Sequence, residues 1–258
     1  MATALITGAS SGIGREFAHV FAEKMHNLVL VSIDEDGLEG VGKEIREKYN
    51  VTVDLILADL RDPREVGRVY AECSSQRFVV DILVNDAGMG EFGPFVEMDW
   101  EKIQRIIDLN IKAVTKLCHL FIPGMVARKS GHILNIASTA AFQPGPLMAV
   151  YYATKSYVLF LSEALYNELE GTGVHITCLC PGPTSTHFFS IAHMEQSNLV
   201  KGRNLPTPRK VAELGYKSMM KNKMTVIHGL GNFILANCVR FVPRRWVLPI
   251  VRHVQKKI

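Results

Sequence analysis

Thr3-Ala-Leu-Ile-Thr7-Gly8-Ala9-Ser10-Ser11-Gly12-Ile13-Gly14-Arg15 runs from a short apolar strand-like stretch into a turn with three glycines, then into a segment of helical periodicity. Glycines at such a turn let the backbone bend tightly and approach a pyrophosphate. Free N–H groups and the helix dipole favour the negative charge of that group at the N-terminus that follows. The spacing is Gly-x-x-x-Gly-x-Gly, not the Gly-x-Gly-x-x-Gly of the usual dinucleotide fingerprint. Alone, such a loop also fits an ordinary strand-to-helix turn; its place at the head of a β-α-β unit strengthens the phosphate reading.

Outward from this turn, short apolar β-rich runs alternate with amphipathic stretches. This pattern predicts an α/β fold, a Rossmann-type doubly wound parallel sheet with helices on both faces. Strands are expected at roughly 3–7, 27–32, 51–57, 80–85, 131–138, 174–180 and 224–228, and helices at roughly 13–25, 36–49, 63–78, 99–128, 150–170 and 208–222. With 258 residues, 48% of them hydrophobic, the chain can bury a full core, and one domain over 1–258 is expected.

The net charge of +4 is unevenly placed: residues 200–258 hold 13 Lys and Arg against the single acid Glu213, leaving 16 against 24 elsewhere. The five cysteines, Cys73, Cys118, Cys178, Cys180 and Cys238, lack metal-ligand spacing, so reduced thiols in a cytoplasmic setting are expected, with no metal site. Met1 leads directly into the first strand without a basic n-region, so a signal peptide is not expected. No nucleic-acid partner is expected either.

A second stretch carries chemistry. Gly131-His-Ile-Leu-Asn-Ile-Ala-Ser138 reads as a buried strand delivering a hydroxyl at its C-terminal tip, and Tyr151 and Lys155 stand four apart on one helix face. A free phenol has a pKa of about 10, and bringing it to about 7 takes roughly 4 kcal/mol of preferential phenolate stabilisation. A nearby ammonium in a site of reduced dielectric can supply much of that. Tyr151 would then exchange a proton with a carbonyl or alcohol oxygen that the Ser138 hydroxyl holds. A lone Tyr-x-x-x-Lys pair also fits a surface or packing contact, and only its company decides.

That company is Thr7-Gly8-x-x-x-Gly12-x-Gly14, Asn85-Asp86-Ala87-Gly88, Asn110, Ser138, Tyr151-x-x-x-Lys155 and Pro181-Gly182. In order and spacing these resemble the short-chain dehydrogenase/reductase family from residue 3 to about 190. Within it, the run Ser138-Thr-Ala-Ala-Phe-Gln-Pro-Gly-Pro-Leu-Met-Ala-Val-Tyr151 is similar to bacterial-type NAD(P)-dependent oxidoreductases. The resemblance implies a seven-stranded parallel sheet with a nicotinamide cofactor across its C-terminal strand ends. It also implies a homo-dimer or homo-tetramer formed through the helices at 99–128 and 150–170.

The resemblance implies roles residue by residue. Gly8, Ser10, Ser11, Gly12, Ile13 and Gly14 would border the pyrophosphate and adenosine ribose. Asp59, with Leu60 beside it, would bind the adenine amino group, the alternative being an acid of the helix start before Pro63. Asn85, Ala87 and Gly88 would flank the adenosine. Asn110 would hold a water that completes a proton relay from Lys155, the alternative being a satisfied core amide. Pro181, Gly182 and Thr184 or Thr186 would meet the nicotinamide end, and Lys155 would also bond its ribose.

Two positions depart from that pattern. Asp86 stands where the family usually has a second Asn, putting a carboxylate where an amide is expected. After the second strand, Ser32 replaces the acid frequent in NAD users and Ile33 the basic residue frequent in NADP users. Ser32 could bond a 2′-phosphate, Asp34 and Glu35 would repel one if they pointed inward, and Arg15 is a substitute cation or a surface arginine. NADP is the preferred expectation and NAD the alternative.

Residues 183–207 fall where the family carries a substrate lid, and Phe188, Phe189, Ile191 and Met194 interrupt its polar composition. With Phe142, Pro144 and Met148 they suggest an apolar pocket for a small-molecule ketone or aldehyde, whose reacting oxygen would lie at Ser138 and Tyr151. His187 and His193 could touch substrate or face solvent. Residues 229–258 form a basic amphipathic extension with Trp246, Pro243 and Pro249. It suits an extra helix packed on the sheet or a subunit partner, with peripheral membrane contact as the alternative.

The expected function is carbonyl–alcohol interconversion by an NAD(P)-dependent oxidoreductase. The alternatives are a non-catalytic dinucleotide-binding regulator or scaffold, and a membrane-peripheral protein acting through its tail.

Overall fold

The computed structural model describes residues 1–75, 79–186, 188–192, 197 and 204–255. Seven parallel strands form one sheet in the order β3-β2-β1-β4-β5-β6-β7. They are β1 (Thr3–Thr7), β2 (Asn27–Ser32), β3 (Val53–Leu57), β4 (Val80–Asn85), β5 (Gly131–Ile136), β6 (Val174–Cys180) and β7 (Thr225–Ile227). The chain direction of strand addition reverses between β1 and β4, so their C-terminal ends border the crevice where ligands of such sheets bind.

The alternation of side chains along each strand feeds two separate cores. On one face Leu5, Val29, Val31, Ile56, Leu83, Ile133 and Ile176 meet α3 (Pro63–Ser75), α5 (Val114–Arg128) and α6 (Ala149–Glu168) through Val69, Leu117, Phe121, Val158 and Leu159. On the other, Ala4, Ile6, Leu28, Leu30, Ile82, Val84 and Leu134 meet α1 (Gly12–Glu23), α2 (Glu35–Lys48) and α8 (Pro208–Met219) through Phe17, Phe21, Val41, Ile45, Val211 and Met219. Strands buried on both faces explain the near-continuous apolar runs of the sequence.

Several boundaries differ from expectation. The third strand begins at Val53, not 51, and the fifth ends at Ile136, so Ser138 lies just past the strand tip. The single helix expected at 99–128 is α4 (Trp100–Ile107), a π-helical segment (Asp108–Ala113) and α5. The interruption falls on Asn110, whose buried side-chain amide is tied to the backbone of Met89, and the wider turn coincides with that attachment. Of the segment 183–207, expected as a lid, α7 (Phe188–Ile191) is described; His187, His193 and Met194 lie outside the described residues. The tail forms α9 (Leu230–Cys238) and α10 (Arg244–Gln255).

Candidate active site

The first turn is built for close approach. Gly8 has φ +69°, and a Cβ there would lie 3.0 Å from the backbone of Ala87; Gly12 has φ +58°. A Cβ on Gly14 would come within 2.2 Å of the Gly8 carbonyl oxygen, so the turn and α1 can pack only with glycine there. The Thr7 hydroxyl accepts the N–H groups of Asp86 and Ala87, each at 3.1 Å, and so ties the end of β1 to the loop after β4.

These elements open into a cavity of about 680 Å3 above the strand ends. Its wall includes Gly8, Ser10, Ser11, Gly12 and Ile13 of the turn, then Ala87, Gly88, Ser138, Tyr151, Lys155, Pro181, Gly182, Thr184 and Thr186. Met148 and Phe188 line it too, as expected for the apolar part. Residues more than a hundred positions apart thus converge on one space.

The turn with its exposed N–H groups at the start of α1 and the glycine cradle that any Cβ would fill suit a dinucleotide pyrophosphate. Ser10, Ser11, Gly12 and Ile13 would hold it, and Pro181, Gly182 and Thr186 would border its nicotinamide end.

Other expected contacts are reassigned. Asn85 is buried away from the cavity, where its Nδ2 donates to Asn135 Oδ1 at 2.8 Å and joins β4 to β5. The Leu60 side chain belongs to the core. Asp59 is gripped by Arg61 through bonds of 2.7–3.0 Å, and that guanidinium holds its carboxyl below the usual range. Phe142 packs on the core and, with exposed Pro144, does not border the cavity, because the 3-10 turn at 139–142 directs it inward. Ser32 donates to Ser10 Oγ at 2.9 Å, Ile33 is exposed, and Asp34 caps α2 by accepting the Gly37 N–H. Arg15 is no free cation, being paired with Glu44 at 2.7 Å and Glu16 at 3.1 Å.

The catalytic candidates are held by specific bonds. Ser138 Oγ accepts the Ala140 N–H at 3.1 Å, and Lys155 Nζ donates to the Ile136 carbonyl at 2.8 Å. The ammonium lies 5.9 Å from the centre of the Tyr151 ring. Burial pushes the phenol above its ordinary pKa, the adjacent Ser138 hydroxyl works against that, and Tyr152 and Asp86 reinforce it. One N–H of the Lys155 ammonium is taken by the Ile136 carbonyl, and its other two remain available beside the phenol. Burial also lowers the Lys155 pKa, with Asp86 opposing.

Asn110 has its amide fully engaged: Oδ1 accepts the Met89 N–H at 3.0 Å, and Nδ2 donates to Met89 O at 2.9 Å and Thr154 Oγ1 at 3.0 Å. Thr154 in turn donates to the Tyr151 carbonyl at 2.8 Å. The side chain is thus a satisfied amide that braces the 88–90 loop against α6.

Asp86, noted in the sequence only as a departure, borders the cavity beneath the glycine turn, with its Oδ2 2.8 Å from where a Gly14 Cβ would stand. Burial pushes its carboxyl up to about 7, against the pull of Lys155 and the Gly14 N–H. The sequence also gave no notice that the tail roofs the site. Asn232, Ala236, Val247, Val251 and Gln255 all face the cavity. Gln255 is buried and donates to the Tyr152 hydroxyl, next to Tyr151. The one available signal was the spacing of Val247, Val251 and Gln255, four apart on one face of a helix.

With this geometry in view, the comparisons are decisive at the level of family. Residues 2–196 match the family model described as short chain dehydrogenase. The chain is 32% identical over 265 residues to the very-long-chain 3-oxoacyl-CoA reductase of Homo sapiens, covering 98% of this chain and 79% of that protein. It is 35% identical over 180 residues to the inactive hydroxysteroid dehydrogenase-like protein 1 of Homo sapiens, covering 69% of this chain and 54% of that protein, so it spans about half the length of that relative. A solved short-chain dehydrogenase from Sphingobium yanoikuyae in complex with NADPH superposes with a TM-score of 0.84 at 32% identity, covering 93% of this chain and 94% of that one. The chain belongs to the short chain dehydrogenase family, and its class is that of the NAD(P)-dependent oxidoreductases.

Proposed function

We propose that this protein interconverts a ketone and a secondary alcohol on a bulky, largely apolar substrate. The observation that carries the reading is the convergence of Ser138, Tyr151 and Lys155 with the glycine turn on one cavity whose remaining wall is mostly apolar. The relative acting on very-long-chain 3-oxoacyl substrates supports a substrate with a long apolar body. A bound nicotinamide dinucleotide supplies or accepts the hydride.

The chain's own residues manage the oxygen. In reduction, the Ser138 hydroxyl hydrogen-bonds the substrate carbonyl and holds it against Tyr151, whose protonated phenol donates its proton as the carbonyl carbon gains hydride. The Lys155 ammonium stabilises the resulting phenolate, which is then reprotonated; oxidation reverses each transfer. Asn110 keeps the backbone of α6 in register through Thr154. The apolar roof of α9 and α10 keeps water from the reacting centre.

NADP is the preferred cofactor in this reading, supported by the NADPH-bound Sphingobium relative. Arg15 is paired with Glu44 and not held free for a 2′-phosphate, so the expected preference over NAD is modest. Five free thiols suit a cytoplasmic protein.

The test is absorbance at the nicotinamide band while long-chain, cyclic and short ketones are offered with NADPH or NADH. Tyr151→Phe should lower turnover by about a hundredfold or more while dinucleotide affinity changes little. Retained turnover removes Tyr151 from its role. A second reading, a non-catalytic dinucleotide-binding protein, is favoured by the relative named inactive. Tight dinucleotide binding with no turnover across the whole panel would support it.

A further inference from the structure

The roof over the cavity has an outer face unlike the rest of the surface. Along α9 and α10 the inner face carries buried Ala236, Val247 and Gln255, while Leu235 (68% exposed), Phe241 (86%), Trp246 (58%) and Ile250 (61%) stand outward. Arg240, Arg244, Arg245 and Arg252 are interspersed with them, and none of the four makes an ion pair among the described residues. From 229 onward the sequence contains no acid at all. Leu235 and Ile250 are exposed and also border the cavity, so the apolar patch is continuous with its mouth.

We propose that this face docks on an anionic lipid bilayer, with the cavity mouth turned toward the membrane. Aromatic and aliphatic side chains set among arginines are the composition of an element lying in a bilayer interface, where the apolar groups leave water and the guanidinium groups meet lipid phosphates. No helix among the described residues is long and apolar enough to cross a membrane, so the contact is peripheral. A second copy placed symmetrically on this face would bring the two sets of arginines together with no acid from residues 229–258 to offset them, whereas an anionic surface supplies the opposite charge. Docking itself is independent of catalysis. Its use, taking an apolar ketone from the lipid phase into the cavity, rests on the oxidoreductase reading above.

The test uses the full chain carrying Trp100→Phe, which leaves Trp246 as the single tryptophan. Vesicles of equal parts phosphatidylglycerol and phosphatidylcholine should shift its emission to the blue and carry the protein into the pellet. Pure phosphatidylcholine vesicles should do so weakly, and added salt should weaken binding to the anionic ones. The variant F241S/R244S/R245S, altered at residues outside the cavity wall, should lose about tenfold or more in vesicle affinity while binding NADPH as before, which separates lost docking from lost folding. No blue shift and no pelleting with the anionic vesicles overturns the proposal. So does self-association that the triple variant abolishes, without vesicle binding. Vesicle binding without NADPH binding would leave the docking intact and sink the catalytic reading instead.

Discussion

At the level of single residues, Asp86 is a buried carboxyl on the wall of the cavity, and its chemistry is open to direct test. Its carboxyl titrates near 7 because burial disfavours the charge more than Lys155 and the Gly14 N–H support it. In the unfolded chain it would titrate near 3.9. A carboxyl whose folded pKa is raised costs the fold nothing below about pH 4 and progressively more as pH rises through about 7. Asp86→Asn, which keeps the shape and removes the charge, should raise stability above pH 7 by on the order of 2–4 kcal/mol and leave it unchanged near pH 4. Denaturant unfolding at the two pH values measures this. The same carboxylate lies beneath the turn that would cradle a pyrophosphate, so NADPH affinity should fall as pH rises from 6 to 8 in the parent and much less in the variant. Equal slopes in fluorescence titrations would remove Asp86 from the cofactor's surroundings.

At the scale of the element, the site depends on how closely helices approach the sheet. α8 lies against α1 and β6 at Gly215, where a Cβ would come 2.8 Å from Phe17 Cζ and 2.9 Å from Leu179 Cδ2. Gly215→Ala improves helix propensity yet overpacks this contact, and the balance should be a loss of about 1–3 kcal/mol, seen as a lower Tm. A gain would show that the two helices can separate without cost. On the roof, Gln255→Ala removes the bond to the Tyr152 hydroxyl, which should make the amides of α10 exchange hydrogen about tenfold faster. Unchanged exchange would mean that apolar contacts alone hold α10 over the cavity.

At the scale of the whole molecule, the outer faces of α4 and α6 remain apolar in places that the monomer does not cover. Phe160 on α6 is 64% exposed, and Trp100 at the start of α4 is exposed as well. We read these as the contact between subunits of a dimer or tetramer. Phe160→Arg should then shift sedimentation toward the monomer at micromolar concentration without altering the far-UV spectrum. A monomer already present in the parent would rule this surface out as an interface.

The α/β architecture, the seven strands and the grouping of Ser138, Tyr151 and Lys155, which the structure brings to one cavity, were legible in the sequence. Each is a short-range pattern: apolar runs of strand length, four-residue helical spacing, and glycines where the backbone must bend. The number and order of residues determined these directly. Relations between distant parts of the chain, by contrast, came from the folded arrangement alone. Asn85 turned inward to Asn135, Asn110 was consumed by Met89 and Thr154, and Lys155 was drawn to the Ile136 carbonyl, because buried polar groups take whichever partner the fold brings within reach. The same holds for the tail. Its amphipathic spacing announced a buried face, but not that the face would close over the cavity at the strand ends, since a helix stripe specifies that something apolar must cover it and the fold alone specifies what.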